Sequence, residues 1–300
     1  MVRKVNVAQG GRRGWLWVGV VALVLAAALG WVATPPQDIV PRTHPIDPST
    51  TVIDNGFYDT EDFAYNWWAE GGWAAPLLAM NDARVPYFDR AFHHLNTYTE
   101  ASQQLFLDIG CGGGLATEAM ARHGHHMIGL DISPRSIETA RRHAQEEGVS
   151  NVEYVVGSAL ELPFPDHHFD GVVMSDVIEH IHDLPALVKE INRVLKPGGV
   201  FTFDTINRTW KSYILNRILQ SSILMSIMPP HTHDYRLFTT PAELTELLAP
   251  AMDVKEIVGL EPVVEPSRLF QRGKPVDMVT TFRQTDDTDL SYLGYAVKAK

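Results

Sequence analysis

Two groups of residues in this 300-residue chain have the types and spacing to do chemistry. The first is Gly110-Cys111-Gly112-Gly113-Gly114, preceded by Asp108 and followed, 17 residues after Gly114, by Asp131. A glycine-rich turn between a strand and a helix lets the backbone approach a ligand closely, because glycine lacks a Cβ. An acidic residue ending the next strand can accept both hydroxyls of a ribose. The second group is Asp176-Val177-Ile178-Glu179-His180. If this run opens a helix, its first, fourth and fifth residues share one face. Two carboxylates and an imidazole converging there could hold a divalent cation such as Mg2+.

Charge narrows the ligand of the glycine loop. A dinucleotide fingerprint reads G-x-G-x-x-G and leaves room for a pyrophosphate. This loop is spaced differently, and a carboxylate at Asp108 would repel a pyrophosphate while suiting a ligand that carries an ammonium and a sulfonium. S-adenosylmethionine carries both and is the expected cofactor, with Asp108, Gly110, Gly112, Gly114 and Asp131 as its contacts. At the second group, a cation held by Asp176, Glu179 and His180 would lower the pKa of a bound substrate hydroxyl. The same residues can equally line a substrate pocket without metal. In that case His180 becomes the candidate general base, its ordinary pKa lying near neutrality. Glu179 beside it, and His233 with Asp234, are the other candidates for catalysis.

Both groups need elements to position them. Leu105–Ile109 reads as a strand, 116–123 as a helix and 127–131 as the next strand. Ser133-Pro134 then opens a helix, with a capping residue followed by proline at the first helical position. Further strands are expected at Val152–Val156, 171–175 and 200–204, and a helix at 184–195 that ends at Lys196-Pro197-Gly198-Gly199. Strand–helix alternation of this kind makes an α/β fold, a mostly parallel sheet with helices on both faces. Its ligand crevice lies at the carboxyl ends of the strands, where both groups fall. The aromatic-rich stretch 57–87 is too apolar for a linker and is expected to pack as helices over the domain.

The chain carries 25 Lys and Arg against 36 Asp and Glu, a net charge of -11, which argues against broad nucleic-acid binding. A single cysteine excludes an internal disulfide framework, and 13 histidines leave a His/carboxylate metal site open. Residues 1–13 form a basic tail with Arg3, Lys4, Arg12 and Arg13. Residues 14–33 are charge-free and apolar with tryptophans near both ends, which predicts a membrane helix. A cleaved signal peptide is the rival, poorly served by Trp31 near the would-be cleavage site. The basic tail favours placing the domain outside the cytoplasm. The need for S-adenosylmethionine favours the cytoplasmic side, which is the expectation taken. Residues 34–50 hold five prolines and read as a linker, leaving 51–300 as the catalytic domain.

Asp108-Ile109-Gly110-Cys111-Gly112-Gly113-Gly114, Gly129-Leu130-Asp131 and Leu195-Lys196-Pro197-Gly198-Gly199 together resemble the signature set of class I methyltransferases. That resemblance implies a Rossmann-like, seven-stranded, mostly parallel sheet with a reversed final hairpin. Where such enzymes often place an acidic residue against adenine, this chain has Ser158, which offers only a neutral hydrogen bond.

Other segments narrow the resemblance. Trp67-Trp68, Pro76-Leu77 and Asn81-Asp82-Ala83-Arg84 are similar to the start of the ubiquinone-biosynthesis O-methyltransferases. Thr205-Ile206-Asn207-Arg208, Thr232-His233-Asp234-Tyr235 and Pro241-Ala242-Glu243-Leu244 continue the likeness in order. It implies methylation of a catechol hydroxyl on a polyprenylated ring, with Arg84 and Ser175 added to the cofactor contacts. The family reads Glu-x-x-Glu-His where this chain begins with Asp176, a shorter reach toward a metal. A lipophilic substrate, the membrane and other quinone-biosynthesis enzymes are the implied partners. Residues 205–240, with the apolar run 214–228, could form a lid, a membrane-contact helix or a plain core helix. A methyltransferase for another lipophilic phenol, and a non-catalytic membrane scaffold, remain the alternative functions.

Overall fold

The computed structural model describes residues 35–95, 99–220, 229–265 and 279–300. The expected basic tail and membrane helix lie outside them, as does 221–228 of the expected lid. Among the described residues no helix is long and apolar enough to cross a membrane. The compact unit considered below runs from Asp38 to Lys300.

Its strands are β1 Leu105–Ile109, β2 His126–Asp131, β3 Val152–Val156, β4 Phe169–Ser175, β5 Leu195–Ile206, β6 Met252–Val264, β7 Val279–Thr285 and β8 Ser291–Lys298. They form one sheet in the order β3-β2-β1-β4-β5-β8-β6-β7. The first five are parallel, and β5, β8, β6 and β7 pair antiparallel. The sheet therefore has eight strands where seven were expected. The additional strand is β7, and the length of β6 accounts for it. At 13 residues, β6 pairs with β8 over Met252 to Leu260 and then presents Gly259 to Val264 to a second partner.

Period-two alternation sends neighbouring residues to opposite faces. Leu107, Val172, Phe201 and Tyr292 join one core; Phe106, Val173, Val200 and Leu293 join the other. Helices cover both. The first core is closed by α5 (Leu184–Val194) and α7 (Pro241–Leu248), the second by α2 (Ala75–Phe92) and α3 (Leu115–Arg122). A single turn, α1 (Glu61–Ala64), precedes α2, while α4 (Pro134–Glu146) packs Ile137 and Ala140 beside Tyr154, and α6 is Trp210–Leu219. Ser133 caps α4 by accepting from the Ser136 amide, with Pro134 in the first helical turn, as its sequence demands.

Two local expectations change. Lys196-Pro197-Gly198-Gly199, expected to end the helix over 184–195, lies inside β5. It makes a bulge between the pairings Phe169–Leu195 and Gly171–Val200, with Gly198 at φ 78°. The stretch expected as a linker over 34–50 is packed from Asp38 onward: Arg42 is 0% and Ile46 4% exposed. A proline-rich composition stiffened this segment without freeing it, because Arg42 finds acceptors inside the domain.

The base of the sheet is tied by Asp170, fully buried, which accepts from the Leu105 amide at 3.0 Å and from Lys196 Nζ at 2.7 Å. Lys196→Met should remove the charge partner of this buried carboxylate and cost about 3 kcal/mol of stability. Urea unfolding should show a lower midpoint with an unchanged slope, and an unchanged midpoint would refute the assignment.

Candidate active site

A cavity of about 710 Å3 opens at the carboxyl ends of β1, β2, β4 and β5, a size typical of small-molecule sites. Its cofactor half is built around the turn after β1. Gly112 adopts φ 52°, and a Cβ there would sit 2.5 Å from the Trp67 ring. At Gly113 the same test gives 2.3 Å. Both positions thus need glycine, because an indole roofs the turn. Trp67 Nε1 donates to Ser136 Oγ at 2.9 Å and Trp68 Nε1 to the Gly113 carbonyl at 2.8 Å, which fixes that roof. Tyr58 stacks on Trp67 with ring centroids 6.0 Å apart and extends the aromatic wall along the cavity.

The predicted cofactor residues Arg84, Asp108, Gly110, Gly112, Asp131, Ser158 and Ser175 all line this one cavity. Gly114, the last of the loop, instead caps α3 in the left-handed region at φ 88°. Asp131, ending β2, accepts from the Gly112 amide at 2.8 Å and from the Ser133 amide at 2.8 Å. Each carboxylate oxygen keeps a lone pair for a further donor. Ser158 Oγ accepts from the Leu160 amide at 3.2 Å. Asp108 accepts from Thr117 Oγ1 at 2.6 Å, and burial raises its pKa to about 6. Arg84 is 3% exposed on α2 and is already engaged. Its Nη1 donates to Ser175 Oγ and Asp176 Oδ2, both at 2.7 Å, while Nη2 donates to the Leu77 carbonyl.

The second group is arranged differently from its predicted form. Only Ile178–His180 is helical, a single 3-10 turn, and Asp176 precedes it in the left-handed region at φ 53°. That conformation rotates Asp176 off the face of Glu179 and His180 and toward Arg84. Asp176 therefore drops out of the predicted metal set. His233 takes its place: ligand atoms of Glu179, His180 and His233 lie within 4.8 Å of one another.

The protonation of this trio follows from its surroundings. Glu179 is fully buried; Oε2 accepts from Thr205 Oγ1 at 2.8 Å, whereas Oε1 has no partner among the described residues. Burial, then the nearby Asp176 charge, pushes its carboxyl well above the usual range. Asn55 Nδ2 donates to the His180 carbonyl, which turns Asn55 Oδ1 toward His180 Nδ1 at 2.9 Å. His233 Nδ1 meets Asn216 Oδ1 at 3.3 Å. Amide oxygens only accept, so in this arrangement both rings carry their proton on Nδ1, which makes Nε2 the acceptor nitrogen of each. Desolvation lowers His180 to about 4 and His233 well below its ordinary value. Neutral imidazoles with an oriented lone pair make good metal ligands. The expected near-neutral base is not what burial leaves at His180. Asp234 is no partner to His233 either, since its oxygens hold the Val52 and Arg236 amides.

Sequence reasoning missed Asp204 and Thr205 at the end of β5, Asn55 and Asn216 behind the histidines, and Tyr58. Asp204 ends an expected strand and Thr205 follows it, so both were open to discovery by position. The asparagines act through distant partners and left no local signal.

This fold, with an acidic strand-end crevice around a tryptophan-roofed glycine turn, defines a class I S-adenosylmethionine-dependent methyltransferase. The Methyltransferase domain family matches residues 107–203. Two solved structures share the fold, each with a TM-score of 0.52 and 20% identity. One is described by conversion of a disulfide bond into a thioacetal group during echinomycin biosynthesis and aligns over 72% of this chain and 81% of its own. The other, from a complex between the Haloferax volcanii Trm112 methyltransferase activator and a methyltransferase, aligns over 80% and 100%.

Sequence relatives are closer. The mitochondrial ubiquinone biosynthesis O-methyltransferase of Homo sapiens is 35% identical over 84% of this chain and 67% of its own length. The ubiquinone biosynthesis O-methyltransferases of Cereibacter sphaeroides (36%; 70% of this chain, 83% of the relative) and Xanthomonas euvesicatoria (33%; 78% and 90%) extend the match to bacteria. The chain belongs to the ubiquinone biosynthesis O-methyltransferase family.

Asp108 gives this site a pH signature. Its carboxyl is neutral below about 6 and charged above, so affinity for the cationic cofactor should rise between about pH 5 and pH 7 and then level. Calorimetric titration with S-adenosylmethionine should show that step, and Asp108→Asn should weaken binding at pH 7.5 and flatten the profile. A profile identical in the variant would remove Asp108 from cofactor binding.

Proposed function

We propose that the enzyme methylates a catechol hydroxyl of a polyprenylated quinone precursor, and that a divalent cation held by Glu179, His180 and His233 helps activate that hydroxyl. The observation carrying this reading is that the trio lines the same cavity as the glycine turn and Asp131. A buried carboxyl oxygen without a partner among the described residues, beside two neutral imidazoles, is a donor set suited to a cation. Greasy residues from three separate elements complete the wall: Leu215 and Leu219 of α6, Pro262 of β6, and Val279 and Phe282 of β7. Such a wall suits an apolar tail.

S-adenosylmethionine supplies an electrophilic methyl group on a positively charged sulfur. Asp131 would accept the ribose hydroxyls, and Arg84 would share its guanidinium between Asp176 and the cofactor carboxylate. Asp108 adds negative charge where the cofactor is cationic. A cation would lower the pKa of the substrate hydroxyl it binds. Ser212 and Asn216 of α6 face the cavity, so this helix covers the bound substrate. Holding oxygen, methyl carbon and sulfur in line supplies much of the acceleration. A C–O bond forms and the S–CH3 bond breaks, the sulfonium leaves as a neutral thioether, and the hydroxyl proton passes to solvent water. The apolar stretch 14–33 would seat the domain at the bilayer in which a polyprenyl tail resides.

Purified enzyme with Mg2+ should methylate a prenylated catechol, and Glu179→Gln should lower kcat by about 100-fold with the affinity for S-adenosylmethionine unchanged. Activity that survives both exhaustive chelation and this substitution would exclude the cation. Methylation of a non-prenylated phenol in preference to the prenylated catechol would overturn the substrate assignment.

A further inference from the structure

We infer that the arm formed by residues 38–55 is part of the active site, and that Arg42 is a positioning residue which holds the Glu179–His180 turn against His233. The inference rests on the reading of Glu179, His180 and His233 as a working trio.

The turn needs an external support. Ile178–His180 is three residues long, and 3-10 turns of this length have poor internal hydrogen-bond geometry and leave carbonyls unsatisfied at their ends. The Ile178 carbonyl accepts from the Ile181 amide at 3.3 Å, and Arg42 adds a second donor there and one at the Ile181 carbonyl. Its Nη2 donates to the Ile178 carbonyl at 3.4 Å and to the Ile181 carbonyl, so one guanidinium nitrogen bridges the start of the turn and the residue just after it. Nε reaches Thr239 Oγ1 at 3.4 Å, and the Arg42 amide reaches Glu243 Oε1 at 3.3 Å. Burial, then the nearby Arg208 charge, lowers the Arg42 pKa to about 10, while the Glu243 carboxylate favours the cationic form. A fully buried arginine costs several kcal/mol of desolvation unless its surroundings compensate. Arg42 Nη1 has no hydrogen-bond partner among the described residues, a cost of burial that the contacts of Nε and Nη2 offset.

The rest of the arm continues the same task. The Ile46 amide donates to the His182 carbonyl at 3.0 Å, and Asn55 holds His180 through both its ring and its carbonyl. Between those contacts the arm crosses to the segment bearing His233. The Val52 amide donates to Asp234 Oδ2 at 2.9 Å and the Asp54 amide to the His231 carbonyl at 3.0 Å. One strap of backbone thus joins the two segments whose side chains make the trio. Arg42 anchors it at the deepest point.

The test compares Arg42→Met and Arg42→Lys in the full chain. Three quantities are read: S-adenosylmethionine affinity by calorimetry, amide hydrogen exchange of the peptide around 177–183, and Mn2+ affinity by electron paramagnetic resonance. Arg42→Met should leave cofactor affinity within about twofold. It should speed exchange at 177–183 about 10-fold or more, weaken Mn2+ binding about 10- to 100-fold and lower kcat in parallel. Arg42→Lys, which can still donate to a carbonyl, should recover part of each. Unchanged exchange and kcat in Arg42→Met overturn the inference. So does a uniform rise in exchange with loss of cofactor binding in both variants, which marks a purely structural role. If the wild type binds no Mn2+, the cation reading fails alone; exchange and kcat still decide Arg42.

Discussion

Asp204, at the end of β5, is 1% exposed and receives the Ser175 hydroxyl, while its other oxygen accepts from the Asp176 amide at 3.2 Å. Beside it, Arg84 is shared by Ser175 and Asp176. Burying several carboxyls at the ends of adjacent parallel strands is the constraint on which the site depends. Charges taken out of water must be paired or shift their protonation. Here one arginine from α2 supplies the pairing, and burial pushes Asp108, Glu179 and Asp204 upward. The crevice is left poised for positive charge, and its ligands are expected to bring that charge. Packing α2 across the second core is what carries Arg84 to this spot, so the hydrophobic face of one helix sets the electrostatics of the cavity.

The same logic separates the two halves of the site. In the cofactor half, carboxylates meet backbone amides: Asp131 takes those of Gly112 and Ser133. In the other half, Glu179 meets a threonine and two neutral rings whose Nδ1 atoms are held by asparagines. The first arrangement fixes a ligand rich in hydroxyls and positive charge. On the proposed reading, the second would hold a cation in a dry environment. Asp176 lies between them and is turned by its positive φ toward the cofactor side.

Much of the sheet was legible because strand ends and glycine turns are local signals. Leu105–Ile109 and Val152–Val156 occur at the expected bounds, and Ser133-Pro134 opens its helix as read. The Asp176–His180 run shows where local reading stops. Helical periodicity grouped Asp176 with Glu179 and His180, but a left-handed residue at the strand end broke that period. His233 entered the trio from a segment more than 50 residues away in sequence, which periodicity cannot report. The arm was misjudged for a related reason. Five prolines describe the stiffness of a segment and say nothing of what one buried arginine within it can reach.

The arm also fixes when the site can exist during folding. Arg42 bonds Glu243 across 201 residues of sequence and Ile178 across 136. Loop-closure entropy for such contacts is lost before the contacts repay it, and contacts this distant in sequence slow folding. On a growing chain emerging amino end first, the arm is made long before Glu243 exists to receive it. The glycine turn and β1 to β5 can assemble around their parallel core while the arm is still unattached. Cofactor-binding geometry therefore comes within reach earlier in synthesis than the geometry that orients Glu179 and His180.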